Sequence, residues 1–166
     1  MKKLFALVMV FSFITSFLLA NSLELGSPAP QLKVLTDEGI TLDLGEALSV
    51  GTTLVFFYPK AMTPGCVKQA CSLRDGWDEL QARGVKIFGV SKDTVKTQAQ
   101  FRDKYTLPFT LLADTDRKIA DAFSKPMIRQ AYLFKDGILV WRDLMAATSK
   151  QATDVLAALD ELEPNS

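Results

Sequence analysis

Apolar residues run along this chain in two rhythms. Near-continuous runs at 54–58, 85–90 and 109–112 are too short for helices and predict buried strands. Between the first two, Val67, Ala70, Leu73 or Arg74, Trp77 and Leu80 return at three-and-four spacing, which predicts a helix over about 63–83 that Gly84 stops. A more polar helix follows over about 94–105, with Phe101 as a core contact and Pro108 as its break. Asp114 or Thr115 can cap a short helix that ends near Phe123.

Two hairpins frame this centre. Residues 31–35 and 40–44 flank Thr36-Asp37-Glu38-Gly39, and residues 130–134 and 138–141 flank Lys135-Asp136-Gly137. Thr148 or Ser149 opens a closing amphipathic helix on Ala152, Val155, Leu156, Leu159 and Leu162, before a frayed tail. Strand–helix–strand–helix–strand, then a hairpin and a helix, gives an α/β fold with a mixed sheet. Repeats, low-complexity tracts and interdomain linkers are all missing from the sequence, so residues 23–166 read as one domain.

The first 22 residues follow a different pattern. Met1-Lys2-Lys3 precede an apolar stretch at 4–19, and Ala20-Asn21-Ser22 offers small residues for cleavage after Ser22, which reads as a secretory signal peptide. The rival is an uncleaved anchor, since a spanning helix needs about 17–25 residues. No cysteine follows the apolar stretch to accept a lipid. Export puts the chain in a periplasm or other extracytoplasmic, oxidising compartment.

Composition narrows the chemistry. Lys plus Arg and Asp plus Glu stand at 19 each, and losing Lys2 and Lys3 leaves a slight acidic excess, so there is no footprint for nucleic acid. Histidine is absent, which excludes Ser-His-Asp and Cys-His nucleophiles and imidazole-built haem or zinc sites. Two cysteines cannot make a four-thiolate metal site, and neither cofactor nor metal is expected.

The stretch from Leu54 to Cys71 carries the candidate chemistry. The strand ends in Tyr58-Pro59; Thr63 sits where a helix N-cap would, and Pro64 takes the first helical position. Cys66 then falls in the first turn, where unpaired N–H groups and the helix dipole favour an anion. Helix N-termini of this kind make cysteines reactive as thiolates.

Pro59-x-x-x-Thr63-x-x-Cys66 resembles the peroxidatic signature of the peroxiredoxins. The wider Phe-Tyr-Pro-Lys-Ala-Met-Thr-Pro-Gly-Cys, with Cys71 five residues on, is similar to their Q-type, or bacterioferritin-comigratory, subfamily. The resemblance runs from about Gly26 to Leu162. It implies a thioredoxin-like sandwich, a central mixed sheet with helices on both faces and an N-terminal hairpin.

It also implies a thiol peroxidase that reduces hydrogen peroxide and organic hydroperoxides. Cys66 would be the nucleophile; the Gly65 and Cys66 N–H groups, the Thr63 hydroxyl and Arg129 would stabilise the oxyanion, and Pro59 would shield the pocket. The Cys66 sulfenic acid would be resolved by Cys71 as an intramolecular disulfide, reset by a thioredoxin-like or other dithiol reductant, in a monomer or weak dimer. On a helix the two Cα atoms lie about 8 Å apart. A disulfide needs about 4.4–6.8 Å, so the first turns must unwind. One departure stands out: only Ser124-Lys125-Pro126-Met127-Ile128 separate the short helix from Arg129, where Q-type relatives carry a longer Gly-rich loop. A non-catalytic thioredoxin-fold binding or holdase module with a structural disulfide is the alternative.

Overall fold

The computed structural model describes residues 23–124 and 129–163. The leader, the segment 125–128 and the tail 164–166 lie outside them, and so do the readings of signal, anchor, shortened loop and frayed end.

The strands are β1 Lys33–Thr36, β2 Thr41–Asp43, β3 Thr52–Phe57, β4 Val85–Ser91, β5 Thr110–Ala113, β6 Gln130–Lys135 and β7 Ile138–Asp143. The helices are α1 Leu44–Leu48, α2 Pro64–Asp75, α3 Trp77–Ala82, α4 Val95–Tyr105, α5 Lys118–Ala122 and α6 Gln151–Leu162. One seven-stranded sheet has the order β2-β1-β5-β4-β3-β6-β7. β4 pairs parallel with β3 and β5, and the other pairings are antiparallel. The expected mixed sheet and both hairpins are present.

β3 lies near the middle of the sheet, which explains its unbroken apolar run. Leu54, Phe56 and Tyr58 face one core, with α2, α3, α4 and α6; Val55 and Phe57 face the other, with α1 and α5. Phe56 and Phe101 are fully buried in the first core, and each is worth about 3–5 kcal/mol against alanine. In the second hairpin Asp136 and Gly137 both take positive φ, 49° and 80°, as a tight two-residue turn requires.

The long helix expected over 63–83 is two helices. α2 ends at Asp75, and α3 starts again after Gly76. A β-carbon at Gly76 would sit 2.7 Å from that of Ala152, so α6 crosses where the chain is thinnest. The other corrections concern caps. Asp114 receives the N–H groups of Ile119 and Ala120 at 2.9 and 2.8 Å, but α5 itself starts behind Arg117. α6 starts behind Lys150, without a side-chain cap, and not at Thr148 or Ser149.

Candidate active site

β3 delivers the chain to the site and α2 receives it. Pro59 and Lys60 are exposed at the end of the strand, Ala61 is buried, and Met62 takes a left-handed conformation at φ 65°. Thr63 is the N-cap residue in extended conformation (φ −77°, ψ 146°), with Pro64 opening the helix as expected. Its hydroxyl does not cap the helix, however. It donates to the Lys60 carbonyl at 2.9 Å, closing the turn across Met62 and leaving its lone pairs as acceptors.

The first helical hydrogen bond runs from the Val67 N–H to the Thr63 carbonyl at 2.9 Å. The Gly65 and Cys66 N–H groups precede it and have no intrahelical acceptor. Cys66 is fully buried, on the same face as Gln69, Ala70 and Leu73. Arg129, just before β6, brings Nη2 to 3.9 Å from the Cys66 sulfur. Gly65 makes that approach possible: a β-carbon there would lie 2.2 Å from Nη2. The Arg129 carbonyl is held by the Ala146 N–H at 3.0 Å, and its Nε is buried without a partner among the described residues.

Cys71 lies on the same helix, partly exposed, and both cysteines are free thiols. The structure thus brings Cys66, Gly65, Arg129 and the Thr63 turn together and leaves Cys71 further along α2. No group of three or more His, Cys, Asp or Glu residues that could hold a metal occurs among the described residues.

Beneath the turn lies a polar chain that sequence patterning passed over. The Tyr58 hydroxyl donates to Gln98 Oε1 at 2.5 Å, and Gln98 Nε2 donates to Ser91 Oγ at 3.0 Å and to the Leu112 carbonyl at 2.8 Å. Ser91 in turn donates to Asp93 Oδ2 at 2.7 Å, and the same oxygen accepts the Ala61 N–H at 2.7 Å. Burial pushes the Tyr58 phenol far above its ordinary range, so it remains a donor. The sequence offers only a slight signal: Ser91 closes the apolar run of β4, and Lys92 and Asp93 lead into the polar helix that carries Gln98.

The AhpC/TSA family matches residues 25–142, most of the described chain. The chain belongs to the AhpC/TSA family. Curated relatives within it include Bcp peroxiredoxins. The putative peroxiredoxin bcp of Coxiella burnetii is 45% identical over 102 residues, 61% of this chain and 67% of the relative. Peroxiredoxin Bcp of Escherichia coli is 42% identical over 103 residues, 62% of this chain and 65% of the relative. The aligned part therefore spans about two thirds of those proteins. The Xanthomonas campestris bacterioferritin comigratory protein superposes with a TM-score of 0.73 at 28% identity, covering 79% of this chain and 91% of its own. These likenesses place the protein with the peroxiredoxins of Bcp, or Q, type and bear out the thioredoxin-like fold. As a member of that branch, this AhpC/TSA protein is a thiol peroxidase.

Proposed function

We propose that Cys66 is the peroxidatic nucleophile, acting on hydrogen peroxide and organic hydroperoxides. The observation that carries this reading is the Arg129 guanidinium 3.9 Å from a buried sulfur in the first turn of α2. The thiolate attacks one peroxide oxygen and the O–O bond breaks. The other oxygen leaves as hydroxide or alkoxide, steadied by Arg129 and the Gly65 and Cys66 N–H groups, and takes up a proton. Thr63, with its own hydrogen engaged on Lys60, accepts the hydrogen bond of the incoming peroxide hydroxyl. Pro59 shields the mouth. The Xanthomonas campestris protein is described in connection with alkyl peroxide reduction, which supports the same substrate class here.

The Cys66 sulfenic acid then condenses with the Cys71 thiol, releasing water and forming a disulfide, and a thioredoxin-like dithiol returns two electrons to restore both thiols. Because both cysteines belong to α2, that step requires the helix to unwind. The binding-module alternative needs an inert disulfide, and the free thiols with an arginine on one sulfur give it no support.

Cys66→Ser tests the reading. Peroxide consumption with dithiothreitol should vanish while the fold is kept; retention of more than a few per cent would overturn it. Export through the leader belongs to the same proposal, and mass spectrometry of the native protein should find a new N-terminus at Asn21 or Leu23. A chain starting at Met1 in the membrane fraction would establish the anchor instead.

A further inference from the structure

The turn that carries the site is held in a costly shape. Met62 sits in the left-handed region, which a non-glycine residue keeps only when its surroundings fix it. Two bonds straddle that residue. On one side Thr63 closes onto the Lys60 carbonyl; on the other, Asp93 Oδ2 accepts the Ala61 N–H at 2.7 Å. The Asp93 oxygen is fixed from behind by Ser91, Ser91 by Gln98, and Gln98 by Tyr58 and the Leu112 carbonyl, so the turn is tied to β4, β5 and α4. Gln98 is fully buried and Ser91 nearly so.

We propose that Asp93 is a positioning residue for the peroxidase reaction. Its oxygen fixes the Ala61 N–H, and through the Met62 turn it sets where the first turn of α2 presents the Gly65 and Cys66 N–H groups and the sulfur. Asp93 acts as a hydrogen-bond acceptor and not as a charge. One oxygen, Oδ2, takes both bonds, so a single acceptor at that place is enough. Asparagine, with one carbonyl oxygen, can therefore replace it. The proposal rests on Cys66 as the nucleophile.

The test is the second-order rate with hydrogen peroxide, measured on the full protein with excess dithiothreitol, together with the melting temperature. Asp93→Ala should slow the reaction on the order of tenfold to a hundredfold, the scale of a misplaced catalytic geometry. Asp93→Asn should stay within about threefold of the parent, because both donors keep a partner. Ser91→Ala, which frees the Asp93 oxygen from behind but keeps the Ala61 bond, should fall between them and serves if Asp93→Ala fails to fold. Parental activity in Asp93→Ala, or in Ser91→Ala if that variant has to stand in, would overturn the proposal, as would an Asp93→Asn variant as slow as Asp93→Ala. Cys66→Ser run alongside separates the two readings: if it is dead while Asp93→Ala is normal, only the role of Asp93 falls.

Discussion

The two ends of α2 are held by different parts of the molecule. Its first turn is gripped by the sheet side: β3 feeds it, Asp93 and Thr63 fix the turn before it, and Arg129 lies over Gly65. Beyond its first turn the helix leans on α6. Gln69 Nε2 donates to Gln151 Oε1 at 2.8 Å with both residues fully buried, the Ala152 N–H donates to Ser72 Oγ at 3.2 Å, and Gly76 lets Ala152 close in. Cys66 belongs to the first grip and Cys71 to the second. On the proposed mechanism the difference assigns separate work to one helix: the first grip would set up attack on peroxide, and the second would govern how readily the helix lets Cys71 reach the oxidised sulfur.

Substitutions at the first grip should therefore change attack. Arg129→Lys keeps the charge but loses the planar fork, and should slow peroxide reduction by roughly a hundredfold, the cost of one oxyanion donor. A normal single-turnover rate in that variant would mean that the wrong arginine was chosen. Cys71→Ser should leave attack intact, consume one equivalent of peroxide and then stall as sulfenic acid or over-oxidise to sulfinic acid. Continued turnover at the parental rate would show that Cys71 does not resolve Cys66.

The second grip should act on stability and on resolution. Gln69→Ala leaves Gln151 buried without its side-chain partner and should cost about 1–3 kcal/mol. Thermal melting should show that loss, and disulfide formation after one equivalent of peroxide should quicken while the rate of attack stays near the parent's. A slower attack in Gln69→Ala, with resolution unchanged, would break the division between the two grips.

Much of this was legible from local pattern. The continuous run at 54–58, the Thr63-Pro64 helix start and Cys66 in the first turn depend on neighbours in sequence, and they emerged as read. What escaped depends on contacts far along the chain. At the Gly76 break Ala152 of α6 closes in, a contact that no spacing within 63–83 could announce. Thr63 forgoes capping because the Lys60 carbonyl, turned by Met62, lies nearer to hand. The roles of Asp93 and Gln98 emerge only in the fold, where their partners Ala61, Ser91, Tyr58 and Leu112 come together.

On the proposed mechanism α2 sets up attack while folded and unwinds from its first turn once Cys66 is oxidised. Amide hydrogen exchange on the reduced protein and on the protein treated with one equivalent of peroxide tests it most directly. After oxidation, exchange should quicken across residues 63–73, because a Cys66–Cys71 disulfide cannot form on an intact helix. β3 and β4 should stay protected, and the oxidised protein should melt below the reduced one. Unchanged exchange at 63–73 with a higher melting temperature would contradict the account and make the disulfide a structural brace.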